Sequence, residues 1–221
     1  MAGSSEQRVE MEMELDETAL ITYCSGPSFL PRGVLLSHRS LIVEAMMSAD
    51  GFQQTDKDIV MLFALPMYHM FAMIAVMLAA ICRGSTVIMV PGTGLSLSSF
   101  LAAVEKEKGT MYMGVPYIYA LLVELAENEG IKSDLSSIRL WCSAGAPLSV
   151  DVAMQFNRLY SAGIIDIWGL SETVCQVTCP PINGAVKPGS VGKALPGWEM
   201  KIVNGNGREL PPNQSGEIIV R

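Results

Sequence analysis

Along the chain, apolar runs short enough to be strands alternate with longer stretches in which apolar residues recur every three or four positions. "ALITYC" (Ala19 to Cys24) predicts a strand and "SHRSLIVEAMMSA" (Ser37 to Ala49) a helix capped by Ser37, so the first unit reads strand, loop, helix. The alternation continues through strand Asp58 to Ala64, a helix from Phe71 to Cys82, strand Ser85 to Val90 and helix Leu97 to Lys108 behind serine caps. Strand Thr110 to Val115, a helix opened by Pro116 and ending near Glu129, strand Ser137 to Ser143, helix Ser149 to Tyr160 and strand "GIIDIWG" complete it. The strands are apolar on both faces. Strict alternation of such strands with helices predicts an α/β fold of parallel β-sheets covered by helices.

After Thr173 the helical period gives way to "PPINGAVKPGSVGKALPG", then to the alternating runs "WEMKIVN" and "GEIIVR" with "GNG" between them. This predicts an α/β core over residues 16–179 and the start of a small Gly/Pro-rich β subdomain over residues 180–221. Residues 1–15, polar and acidic, read as a disordered arm with neither the basic start nor the apolar segment of an export signal. The apolar run Ile59 to Cys82 is interrupted by Pro66 and His69, which predicts strand, turn and helix in place of a membrane span.

With half of its 221 residues hydrophobic, the chain can bury a real core. A net charge of -7 offers no footprint for nucleic acid or for an anionic membrane surface. The five cysteines, Cys24, Cys82, Cys142, Cys175 and Cys179, lack paired spacing and fit reduced thiols in a cytoplasmic setting. With only His38 and His69 beside them, they do not compose a zinc site.

In open α/β sheets ligands bind outside the carboxyl ends of the strands, so the loops there are where chemistry is sought. In "SGPSFLPRGV", Ser25, Gly26, Ser28, Arg32 and Gly33 supply hydroxyls, close backbone approach and a cation, the parts of a phosphate cradle. Alone, such a stretch is more often a plain turn. "PMYH" carries His69, a lone histidine in apolar surroundings whose position after a strand raises its interest. In "SAGAPLS", Gly145, Ala146 and Pro147 let a flat ligand lie on the backbone, or equally serve tight sheet-to-helix packing. "WGLSET" gathers Trp168, Gly169, Ser171 and Glu172: a ring to stack on a base, a hydroxyl for a phosphate and a carboxylate for Mg²⁺, or a simple capping arrangement.

Taken in order, the four loops resemble the motifs of the adenylate-forming, AMP-binding enzymes, which include acyl-CoA synthetases, coumarate-CoA ligases, luciferases and nonribosomal peptide adenylation domains. "YCSGPSFLPRGV" is similar to the family's phosphate loop, "PMYH" to P-x-F-H, "SAGAPL" to S-G-G-A-P-L and "IWGLSE" to G-Y-G-x-T-E. "KPGSVGKALPGWEMKIV" and "LPPNQSGEIIVR" extend the likeness to Arg221. The resemblance implies the core of the family's large domain and a two-step ligase. A carboxylic acid, fatty or aromatic given the methionine-rich run Met67 to Met77, is activated by ATP and Mg²⁺ to an acyl-adenylate and then passed to coenzyme A. It also implies that Ser25, Gly26, Ser28, Arg32 and Gly33 hold the β- and γ-phosphates, and that Gly145, Ala146 and Pro147 flank adenine and acyl group. Trp168 and Gly169 would form the adenine slot, Ser171 would contact the α-phosphate, Glu172 would bind Mg²⁺ and His69 would gate the acyl pocket.

Two departures temper this. Pro27 and Phe29 stand where the family has a threonine and a glycine, removing a hydroxyl and an N–H and crowding the phosphates, so weakened ATP binding is expected. The resemblance also stops before the family's ribose-binding aspartate and catalytic-lysine domain. Failure to complete thioester formation alone, and self-association through exposed core, are therefore expected. The competing readings are a non-catalytic relative acting as a binding module and an adenylation domain for an amino acid.

Overall fold

The computed structural model describes residues 12–24, 30–90 and 96–221. The predicted first strand is β1 (Thr18–Cys24), and it pairs antiparallel with β2 (Arg32–Ser37), placing Cys24 opposite Arg32 and Tyr23 opposite Gly33. The sequence reading had a loop where β2 lies. "RGVLLS" abuts the next helix without a break, and its strand character comes from pairing with β1. α1 (His38–Gly51) follows directly, and the Ser37 hydroxyl accepts a hydrogen bond from the Ser40 N–H, as the capping pattern predicts.

The alternation then runs as expected. β3 (Ile59–Leu62) leads to a π-helical stretch, Phe71–Leu78, that continues into α2 (Ala79–Arg83). β4 (Thr86–Met89), α3 (Leu97–Glu107), β5 (Met111–Gly114), α4 (Pro116–Glu129), β6 (Leu140–Ser143), α5 (Val150–Tyr160) and β7 (Ile164–Asp166) follow. β3 to β7 form one parallel sheet in the order β4-β3-β5-β6-β7. The chain leaves β3 to one side and returns to its other side at β5, so the topology reverses there, where a ligand cleft is expected at the carboxyl ends.

Alternate residues of each strand serve opposite faces, so both faces must be apolar. Val60, Leu62, Met113 and Cys142 pack with Phe71, Ile74 and Ala45 on the face covered by α1 and the π-helical stretch. Met61, Tyr112, Trp141 and Ile164 pack with Phe100, Tyr119, Leu122 and Phe156 under α3, α4 and α5. The second face is an aromatic stack, with Trp141 edge-on to Phe156 at 5.1 Å between ring centroids.

The helical pattern of α1 misleads about its buried face. Ile42, Val43 and Met46 are exposed, whereas Glu44, Ala45, Ser48 and Ala49 are buried. Beyond the sheet come a 3₁₀ turn, Ser171–Thr173, and β8 (Thr178–Cys179) paired with β9 (Lys193–Ala194). β10 (Met200–Val203) pairs antiparallel with β11 (Glu217–Val220). The β8–β9 ladder straddles the expected subdomain boundary. Of the arm expected over residues 1–15, residues 1–11 lie outside the described residues. The Leu15 carbonyl accepts the Arg39 N–H, tying the described end of that arm to α1.

The amino ends of the strands are laced by one buried carboxylate. Asp58 accepts from Arg139 Nε and Nη2 at 2.8 Å each, from the Thr110 hydroxyl at 2.8 Å and from the Thr55 N–H at 2.8 Å. Arg139 also donates to the carbonyls of Phe52 and Gln53, joining the end of α1 to β3, β5 and β6. Burial pushes the Asp58 carboxyl up, but Arg139, the Thr55 N–H and Thr110 together outweigh it and hold the group at about 2. Because the folded value lies below the ordinary one, this stabilisation is present above about pH 4 and is lost as pH falls towards about 2. Asp58→Asn should cost roughly 2 kcal/mol near neutral pH, with the difference from wild type shrinking in acid; urea unfolding at the two pH values checks it.

Candidate functional site

Outside the carboxyl ends of β3, β6 and β7 lies a cavity of about 570 Å³. It is lined by Cys24 from β1, by His69, Met70 and Phe71 after β3, by Ala144 and Gly145 after β6, and after β7 by Ile167, Gly169 to Glu172, Cys175 and Gln176. Of the residues singled out in the sequence, the structure thus brings together His69, Gly145, Gly169, Ser171 and Glu172. Ala146 and Pro147 continue the Gly145 loop on the exposed side. Trp168 lies outside the cavity lining, half-buried in a bridge to Thr178. Arg32 and Gly33 occupy the exposed edge of β2, across the ladder from the cavity-lining Cys24. Ser25, Gly26, Pro27, Ser28 and Phe29 lie outside the described residues.

Local backbone chemistry builds each wall. His69 sits where the chain enters the π-helical stretch: its carbonyl accepts the Met73 N–H at 2.9 Å, and its Nδ1 accepts the Phe71 N–H at 3.2 Å. A ring nitrogen that accepts carries no proton, so in neutral His69 the proton is on Nε2. Gly145 turns with φ of 85°, a conformation a side chain would strain.

The wall after β7 is the most constrained. The Val177 and Thr178 N–H groups donate to the Trp168 carbonyl, so the chain doubles back on itself. A Cβ at Gly169 would meet the Cys175 carbonyl oxygen at 1.7 Å. Only glycine fits at that crossing. At the tip, the Leu170 N–H donates to the Thr173 hydroxyl, and the Cys175 N–H donates to the Thr173 carbonyl around Val174, whose φ is 66°. A β-branched residue in that tight γ-turn is strained by roughly 1–3 kcal/mol, and such strain gathers at functional sites.

Two contacts were invisible in the sequence. The Cys24 thiol donates to Glu172 Oε1 at 3.2 Å, joining the hairpin before the phosphate-loop stretch to the candidate metal carboxylate across 148 positions. On the other side of the same turn, buried Glu44 of α1 accepts the Gln176 N–H at 2.8 Å and the Trp198 indole N–H at 3.4 Å. Burial raises the Glu44 carboxyl to about 7 against the opposing pull of those two donors. Cys24 had read only as one of five reduced thiols, and Glu44 had not been singled out. The one local hint was that Glu44 falls a turn away from both Ser40 and Ser48.

Among the described residues, no group of three or more His, Cys, Asp or Glu side chains could hold a metal by itself, and no helix is long and apolar enough to cross a membrane. The buried acid Asp166, at the end of β7, is raised by burial and accepts the Leu148 N–H at 3.4 Å. It braces the loop after β6 against β7.

A doubly covered parallel sheet whose loops converge on a cavity beside its reversal point defines an α/β ligand-binding core. The AMP-binding enzyme model matches residues 2–221, and the chain belongs to that family. 4-Coumarate–CoA ligase 3 of Oryza sativa subsp. japonica is 31% identical, covering 99% of this chain and 40% of its own length. Acetyl-coenzyme A synthetase of Bacillus subtilis (strain 168) is 28% identical over 100% of this chain and 38% of its own length. Among solved structures, ATP-bound MatB from Rhodopseudomonas palustris superposes with a TM-score of 0.89 at 27% identity, over 100% of this chain and 42% of that one. The chain therefore spans about two-fifths of the length of these relatives.

Gly169→Ala should destabilise the fold by more than about 3 kcal/mol, because backbone on both sides of the contact must move. Gly205→Ala, where an added Cβ meets nothing within 4 Å, should change stability little. Thermal melts of the two variants check this.

Proposed function

We propose that this chain is the nucleotide-binding core of an ATP-dependent carboxylic acid–CoA ligase that forms an acyl-adenylate and passes the acyl group to coenzyme A. The observation that carries the reading is the convergence of His69, Gly145, Gly169, Ser171 and Glu172 on one cavity, although 103 positions separate the first and last of them. The same chemistry is named in the relatives: CoA ligation in the rice and Bacillus proteins, and bound ATP in the MatB structure.

The donor set fits Mg²⁺ shared with a nucleotide. Mg²⁺ is commonly held by one or two carboxylates together with substrate phosphates, and Glu172 is a single hard carboxylate in a cavity without a self-sufficient metal cluster among the described residues. Bound there, the ion neutralises phosphate charge. In this reading the Ser171 hydroxyl orients the α-phosphate, and the turn at Gly145 brings backbone against the adenine and acyl groups. Trp168 packs behind the loop and supports it, and Arg32 supplies charge at the phosphate-loop end. Ser25, Gly26 and Ser28 complete the cradle, with Ala146 and Pro147 flanking the adenine. Catalysis rests on positioning and charge neutralisation.

The acid enters past His69. Met70, Phe71, Ala144 and Ile167 give that part of the cavity an apolar surface, which suits a fatty or aromatic acid better than an α-amino acid. Transfer to coenzyme A belongs to the whole protein, as does a cytoplasmic location. The thiol of Cys24 on Glu172, with Pro27 and Phe29 in the loop, supports weak nucleotide binding by this chain and favours, as second reading, a relative that keeps the fold as a binding module.

Calorimetric titration with Mg-ATP, then with a non-hydrolysable acyl-adenylate analogue, tests the proposal. Binding is expected and should weaken at least about tenfold in Glu172→Gln, which keeps the shape and removes the charge. A folded chain that binds neither compound overturns the ligase reading in favour of the module. A large gain in affinity on Pro27→Thr with Phe29→Gly identifies those two residues as the cause of weakness in an otherwise working loop.

A further inference from the structure

Helix α1 buries a carboxylate where its own pattern has apolar residues to spare. Glu44 is 2% exposed while Ile42, Val43 and Met46 on the same helix face solvent. An acid in such a place requires partners, and those of Glu44 come from two distant parts of the chain. One is the Gln176 N–H, which closes the strained turn that begins at Ser171; the other is the indole of Trp198, in the segment that leads to β10. A third group lies one helical turn away. The Ser48 hydroxyl is fully buried and close enough to the carboxyl to act on it as a donor that favours the ionised form.

The chemistry of these partners differs between the two forms of the acid. An ionised carboxylate is an acceptor on both oxygens and can take the Gln176 and Trp198 N–H groups together. A protonated carboxyl keeps one acceptor oxygen and gains an O–H donor, which cannot face the Trp198 N–H. We propose that Glu44 is a positioning residue with two states: ionised, it draws the Gln176 end of the Ser171–Gln176 turn and the Trp198 ring onto α1; protonated, it loses an acceptor oxygen, releases the ring and loosens the turn that carries Glu172.

Charged groups and a thiol surround Glu44. Asp16, Glu172 and Arg221 line the depression above it. Asp16 pairs with Arg39, Arg221 pairs with Glu199 beside Trp198, and Glu172 accepts the Cys24 thiol. Burial pushes the neighbouring Cys175 thiol far up, so it stays neutral. Burial likewise brings Glu44 into the neutral range. The consequence for Glu172 rests on the reading of the cavity as a nucleotide site, whereas the two states of Glu44 do not.

Tryptophan emission of the 221-residue chain, followed between about pH 5.5 and 8.5, reads the Trp198 environment directly. A transition with its midpoint near 7 is expected in the wild type, and its absence is expected in Glu44→Gln and in Trp198→Phe, with circular dichroism showing the fold retained at both ends. Ser48→Ala keeps every charge but removes a hydrogen bond that favours the ionised form, so it should raise the midpoint by about half a pH unit or more. A flat wild-type trace, a transition that persists in Glu44→Gln, or an unmoved midpoint in Ser48→Ala overturns the proposal. Mg-ATP affinity, compared between wild type and Glu44→Gln at both ends of the range, should fall in acid by an extra factor of about 3 or more in the wild type. The emission transition with no Mg-ATP binding at either pH supports the two states of Glu44 and removes the nucleotide reading instead.

Discussion

The close crossing of Gly169 and Cys175 sets the rest of the site. Because a backbone carbonyl occupies the space a side chain at 169 would need, the chain leaving β7 can return beside itself within a few residues. The return is fastened by hydrogen bonds from Val177 and Thr178 to the Trp168 carbonyl. What remains between the crossing strands is a short tip that must turn sharply, and Val174 takes a positive φ to do it. The crossing thus puts Ser171 and Glu172 at the tip of a braced loop over the cavity. It also delivers the Gln176 N–H to the far side, where Glu44 receives it.

The two ends of the parallel sheet are built by different rules. At the amino ends, one carboxylate, Asp58, collects Arg139, Thr110 and the Thr55 N–H and ties the strands together. At the carboxyl ends, polar groups are spread over separate loops that converge on the cavity, and several stay solvent-facing. Rigidity below and adaptable loops above suit a fold whose ligands enter at one end.

The face of α1 shows how a buried polar group alters packing. Burying Glu44 and Ser48 commits part of the helix to hydrogen bonding, and Ile42, Val43 and Met46 are left outward together with Ile21, Tyr23 and Leu35 of the hairpin. The Glu44 carboxylate in turn links the α/β core to the β segment through Trp198, so the boundary expected near Cys179 is bridged by a side-chain contact as well as by the β8–β9 ladder.

Much of the fold was legible in the sequence, because parallel strands buried on both faces must be apolar throughout and the helices between them must repeat every three to four residues. Those local patterns determined β1, the alternation from β3 to β7, the cap at Ser37 and the loops in which the motif residues lie. They could not reveal β2, whose strand character comes from its partner, nor the inward face of α1, since the apolar residues of that helix are not the ones its neighbours cover. The motifs likewise pointed to His69, Gly145, Ser171 and Glu172. That these share a cavity while Trp168 stands behind it, that Cys24 touches Glu172, and that Glu44 receives two donors from beyond residue 170, only the tertiary structure decided. Contacts across 130 or more positions leave no local period in a sequence, because only the folding of the chain brings their partners together.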